Sequence, residues 1–142
     1  AVACVLHAEQ VIVEVTETEA IEDKTSFTAI VNQFRGLGIK LAIDDFGAGF
    51  SGLNLLASFQ PDLVKLDMEL VRNIDSQGPR QAIVAAIIRV CFELGIDIIA
   101  EGVETVAEFD WLRSHGVELF QGYLFAKPMF EGFPSVFDPS NI

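Results

Sequence analysis

Five short apolar runs, alternating with four longer segments whose apolar residues recur at helical spacing, limit how this chain can fold. The runs are VIVEV (11–15), IKLAID (39–44), DLVKL (62–66), IDIIAE (96–101) and VELFQ (117–121). Between them lie SFTAIVNQFRGLG (26–38), SGLNLLASF (51–59), QAIVAAIIRVCFELG (81–95) and TVAEFDWLRSHG (105–116). The runs do not alternate cleanly between apolar and polar, so each is expected to be buried on both faces as a parallel strand covered by helices. Three of the helical segments end at Gly38, Gly95 and Gly116, the residue that most easily takes the left-handed conformation closing a helix. The class is therefore α/β. An open sheet with helices on both faces and a closed barrel give the same local pattern, which does not choose between them. The GAG at 47–49 follows a strand but lacks the third glycine of a dinucleotide-binding turn.

At 142 residues, 51% of them hydrophobic, the chain suffices for one domain with its own core. A net charge of -12 argues against a nonspecific grip on nucleic acid or an anionic membrane, both of which need a basic footprint. An anionic substrate would need help, most simply from metal ions. No apolar run approaches the roughly 18 residues of a membrane span, and AVACVLHA (1–8) lacks the basic start of a signal peptide. Cys4 and Cys91 have no metal-ligand spacing and read as buried free thiols of a cytoplasmic protein. Residues 1–10 read as the end of a preceding helix, 11–128 as the βα units, and 129–142 as a Phe-rich tail expected to close against the body.

Polar groups recur toward the C-terminal ends of the runs: Glu14, Asp44 with Asp45, Lys65, Glu101 and Gln121. In a parallel barrel those ends share the face where active sites are built, and in an open sheet they converge at a switch point. Glu14, Asp44, Asp45, Glu101 and Glu104 brought together would repel unless protonated or neutralised. Hard divalent cations with oxygen ligands are the economical answer. An adjacent Asp-Asp pair suits two-metal phosphoester hydrolysis, one carboxylate bridging while its neighbour holds the second ion. Lys65 either balances charge or steers an attacking water, and Gly47 and Gly49 let the next loop bend over the site.

EVTE (14–17), DDFGAGFSGL (44–53), VKLD (64–67), AEGVET (100–105) and FQGYLFAKP (120–128) together resemble the successive motifs of EAL-type phosphodiesterase domains, which hydrolyse cyclic di-GMP to linear pGpG. The resemblance runs from Val11 to Pro128. It implies a TIM-barrel-like (β/α) fold using Mg2+ or Mn2+, with Glu14, Asp44 and Asp45 as metal ligands. It further implies that Lys65 orients the attacking water and that Glu101 serves as general base or hydrogen-bonds to it. Glu104 and Gln121 match the remaining positions near the second metal and the water. Glu17 matches the acid anchoring the loop after Asp45, which in that family couples dimer contacts to metal binding. A homodimer and an upstream sensory domain are implied as partners.

The Glu-Ala-Leu triplet that names the family, and an Asn ligand also upstream of EVTE, have no counterpart here; Asn32 and Asn54 lie after that strand. A full barrel of eight units takes about 250 residues, so this chain, with about five βα units and no initiating Met, is expected to be an incomplete barrel cut from a longer polypeptide or completed by a partner. The alternative function is a non-catalytic EAL-derived module that senses cyclic di-GMP or contacts another protein. Among other residues, His7 and His115 read as structural or solvent-facing, Trp111 as helix packing, Phe50 and Phe125 as crevice, dimer-contact or core residues, and Arg72 and Arg80 as surface residues, with approach to a phosphate from their loops as the alternative.

Overall fold

A computed structural model describes residues 7–16, 24–48 and 52–139. Five strands appear, β1 (Ile12–Thr16), β2 (Lys40–Phe46), β3 (Leu63–Leu66), β4 (Asp97–Ala100) and β5 (Leu119–Phe120). The helices among the described residues are α1 (Lys24–Gly36), α2 (Gly52–Phe59), α3 (Met68–Val71), α4 (Gly78–Leu94) and α5 (Val106–Ser114). All four strand pairs are parallel, and the spatial order β1-β2-β3-β4-β5 is the order of the chain. That order resolves the ambiguity left by the sequence pattern. A doubly wound open sheet reverses direction at a switch point, whereas an arc that always adds the next strand on the same side is part of a barrel wall.

Strand burial explains why the runs lack alternation. All four residues of β3 are buried, as are Leu41, Ala42, Ile43 and Phe46 of β2, because helices cover one face and the barrel interior the other. The main core joins Phe46, Val64 and Leu66 to Val84, Ile88 and Cys91 of α4 and Phe109 and Leu112 of α5. A smaller one joins Val31, Leu41, Leu55 and Phe59. Arg35 stitches α1 to the end of α2 by donating to the carbonyls of Phe59 and Gln60. The glycines predicted to end helices sit at φ +80° (Gly38), +71° (Gly95) and +94° (Gly116).

Three expectations shift. Of the segment before β1, the described part holds a 3-10 turn at Ala8–Gln10. The fifth strand contracts to two residues, with Val117 already buried ahead of it. The tail closes only near its end: the Phe137 amide donates to the Phe125 carbonyl at 2.8 Å and Pro139 is buried, while Phe130 and Phe133 stand in solvent. No helix among the described residues is long and apolar enough to cross a membrane.

Cys91 is fully buried on α4, and burial pushes its thiol up to about 11. Since the thiolate is the reactive form, iodoacetamide at mildly alkaline pH should leave Cys91 unmodified in the folded protein and alkylate it once denaturant is added. Peptide mass spectrometry reads both states.

Candidate metal centre

Neighbouring residues on a regular strand point to opposite faces, so two adjacent aspartates would ordinarily not share a site. At the end of β2 the register against β3 shifts between Ile43 and Phe46, and Asp45 takes φ +53°. This bulge turns both carboxylates the same way. Aspartate tolerates the left-handed conformation better than most residues, because its short side chain bonds locally. One carboxylate oxygen from each of Asp44, Asp45 and Glu101 then lies within 4.8 Å of the others. Glu101 directly follows β4, two strands along the sheet.

The strand between supplies the opposing charge. Lys65 is 8% exposed, and its Nζ donates to Asp44 Oδ1 at 2.8 Å and Glu14 Oε2 at 3.1 Å and pairs with Glu101 Oε1 at 3.0 Å. Burial alone would favour losing the proton, but hydrogen bonds to Asp44, Glu101 and Glu14 overrule it and hold the ammonium well above its ordinary range. Because the folded value is raised, the stabilisation from Lys65 is fully present below the unfolded value of about 10.4 and is lost as pH rises through the folded one. Burial pushes the Glu101 carboxyl up; Lys65 pulls it back, and the charges of Asp44 and Glu14 add to the rise. Asp45 is raised by burial and by Asp44 and Asp67, against the pull of Lys65.

Beside this cluster opens a cavity of about 350 Å³ lined by Asp45, Asp67, Arg72, Glu101, Glu104, Gln121 and Tyr123, among others. Arg72 meets Glu104 with both terminal guanidinium nitrogens, Nη2 donating to Oε1 at 2.8 Å and Nη1 pairing with Oε2. That pairing holds the Glu104 carboxyl below its usual range.

Asp44, Asp45, Lys65 and Glu101 thus come together as the sequence suggested, and Glu104 and Gln121 line the adjoining cavity. Glu14 lies at the middle of β1 rather than its end, and reaches the cluster through Lys65. Glu17 and Phe50 lie outside the described residues. Phe125 packs on Phe109 and Phe120 at 5.9 and 6.0 Å and does not line the acidic cavity. Arg72 is no simple surface residue, since it lines the cavity wall, and Arg80 donates to its carbonyl. His115 is exposed and stacks on Trp111 at 3.8 Å. Two acids went unremarked in the sequence: Asp67, which caps α3 by accepting from the Glu69 amide at 2.8 Å, and Glu108, which is buried.

An arc of parallel strands with clustered carboxylates at its C-terminal edge defines a barrel-type domain; the all-oxygen set of Asp44, Asp45 and Glu101 is chemically suited to a hard cation such as Mg2+, Mn2+ or Ca2+. Residues 3–128 match the EAL domain, and the chain belongs to that family. It is 49% identical over 94% of its length to the blue light- and temperature-regulated antirepressor BluF of Escherichia coli, covering 33% of that protein. It is 44% identical to the E. coli cyclic di-GMP phosphodiesterase PdeR over 82% of its length, 18% of PdeR. Among solved structures, Klebsiella pneumoniae BlrP1 in complex with calcium and cyclic di-GMP aligns with a TM-score of 0.87 and 53% identity, covering 92% of this chain and 33% of that one. A standalone EAL protein of Vibrio cholerae bound to cyclic di-GMP aligns at 0.84 and 51%, covering 92% of this chain and 55% of that one. The chain therefore spans a third or less of these two curated relatives.

Proposed function

We propose that residues 1–142 are a portion of an EAL domain that, in the intact protein, hydrolyses cyclic di-GMP to linear pGpG. The observation that carries this reading is the buried Lys65 ammonium among Asp44, Glu14 and Glu101, with Asp45 turned to the same side. Asp44, Asp45 and Glu14 would hold Mg2+ or Mn2+, with Glu101, the third carboxylate of the Asp44–Asp45 cluster, kept for proton transfer. Bound there, the ions supply Lewis-acid polarisation of the phosphodiester and a water of lowered pKa. Lys65, kept cationic by its carboxylates, orients the attacking water. Glu101, which pairs with Lys65 at 3.0 Å and lies beside Asp44 and Asp45, accepts its proton. Glu104 and Gln121, from the cavity wall, take the positions near the second metal and the water, and Glu17 is the acid that the family resemblance assigns to the loop after Asp45. A homodimer, a sensory domain elsewhere in the polypeptide and a cytoplasmic setting complete the proposal.

One observation favours a second reading. A relative 49% identical is named an antirepressor, which supports reading this domain as a module that acts by contact with another protein. The two readings separate when the intact protein is incubated with cyclic di-GMP and Mn2+ and pGpG is followed by chromatography. Turnover is expected, with Asp44→Asn lowering it on the order of 100- to 1,000-fold and weakening Mn2+ binding. Unchanged turnover in Asp44→Asn would overturn the metal assignment. No turnover despite measurable nucleotide or protein binding would favour the regulatory module.

A further inference from the structure

Glu108 is the most buried acid among the described residues, 1% exposed, and the proposed chemistry does not use it. It lies in the first turn of α5, and its two carboxylate oxygens have different tasks. Oε2 accepts from the backbone amides of Glu104 and Thr105 at 2.9 and 3.0 Å, while the Glu108 amide donates to Thr105 Oγ1 at 3.2 Å, forming a reciprocal helix cap. Oε1 reaches across to the turn after α3 and accepts from the Asn73 amide at 2.8 Å. Asn73 sits at φ +54°, immediately after Arg72. One carboxylate therefore ties together two loops distant in sequence, one carrying Arg72 and the other Glu104. Those two side chains pair across the gap on the cavity wall, where Arg72 is the only cation among the described lining residues.

We propose that Glu108 is a positioning residue, clamping the turn after α3 to the loop after β4 so that Arg72 is held where an anionic phosphodiester enters the acidic cavity. The inference rests on the nucleotide reading above. A cap alone needs only Oε2; the bond to Asn73 adds nothing to α5 and serves only the joint between the loops. Held by Glu104 and by the clamp, the guanidinium loses little freedom when it meets a phosphate oxygen, and its planar fork suits that partner.

The substitution Glu108→Gln separates cap from clamp. A glutamine keeps one acceptor oxygen, which the two amides of Glu104 and Thr105 retain, and turns its NH2 toward the Asn73 amide. The comparison is Thr105→Ala, which weakens the cap and leaves the clamp. In the intact protein, amide hydrogen exchange and titration with cyclic di-GMP in Ca2+ are both measured well below the melting temperature. Glu108→Gln should expose the Asn73 amide to exchange while Thr105 stays protected, and should weaken nucleotide binding about tenfold, in the range seen when outer groups orienting a site are removed. Thr105→Ala should leave nucleotide affinity unchanged. Equal affinity of Glu108→Gln and the unmodified protein, or equal loss in both variants, would overturn the positioning role. Undiminished Asn73 protection in Glu108→Gln would overturn the clamp whatever the nucleotide does. Failure of the unmodified protein to bind cyclic di-GMP would remove the nucleotide reading and this role with it, and is seen before any variant is made.

Discussion

Replacing Lys65 by methionine is expected to lower stability by about 3 kcal/mol, removing one partner of a largely buried ion cluster, and to make the remaining stability depend on divalent cations. The ammonium lies between Asp44, Glu101 and Glu14, of which the first two are largely shielded and the third is half exposed. Glu14 can turn to water when the cation goes, so the loss stops short of the upper figures for fully buried pairs. Asp44 and Glu101 cannot turn away, and with Asp45 they form an acidic pocket without a counter-charge. A divalent cation then replaces the missing charge. Mn2+ should therefore raise the thermal midpoint of Lys65→Met more than that of the unmodified protein, because binding to the folded state alone stabilises it. Differential scanning calorimetry with and without Mn2+ checks this; equal shifts in the two proteins would mean that Lys65 and the metal do not answer the same charges. If Lys65 has the proposed role of orienting the water, hydrolysis by the intact protein carrying Lys65→Met should fall steeply even in saturating Mn2+, since a metal does not replace a hydrogen-bond donor.

Gly122→Ala should be nearly as damaging for a purely steric reason. Gly122 follows Gln121 just beyond β5, and a Cβ there would overlap the backbone nitrogen, carbon and oxygen of Val103. Val103 is fixed from both sides, its amide donating to the Gln121 carbonyl at 3.1 Å and its carbonyl accepting from the Leu124 amide at 3.0 Å. Side chains can yield to an extra methyl; a backbone so tethered yields only by moving the loop. The cost is about 3 kcal/mol, at the upper end for overpacking. The loop that must move carries Glu104, so the acidic cavity opens on the same side. A lower urea midpoint at unchanged slope would register the loss of stability. A midpoint within experimental error of the unmodified protein would show that the two loops slide past one another freely.

Which parts of this could be read in advance follows from how local each signal is. The strands and helices were legible because apolar runs and glycine stops act within a few residues, as at Gly38, Gly95 and Gly116. The convergence of Asp44, Lys65 and Glu101 was legible because parallel strands put their ends on one face. The orientation of Asp45 was not: it depends on a register shift set by the neighbouring strand. Nor was the position of Glu14, placed toward the end of its apolar run and found mid-strand, where it meets the site through Lys65. Arg72 seemed a surface residue because its partner Glu104 is 32 residues away. Glu108 could have been flagged in part, since Thr105 and Glu108 stand at the spacing of a reciprocal cap. Its bond to Asn73 could not, because nothing local announces a contact 35 residues distant.

The strand order has a consequence for how the site comes into being. Each strand pairs with the one preceding it, so the chain can assemble by successive short-range additions, without waiting for distant segments to meet. During synthesis from the N-terminus, Glu14 and Asp44 emerge and dock before any cation reaches them. Lys65 arrives next as their neutraliser, and Glu101 joins only when β4 pairs with β3. Within these residues Glu14, Asp44 and Asp45 precede the ammonium in the chain, whereas Glu101 meets it already in place on the neighbouring strand.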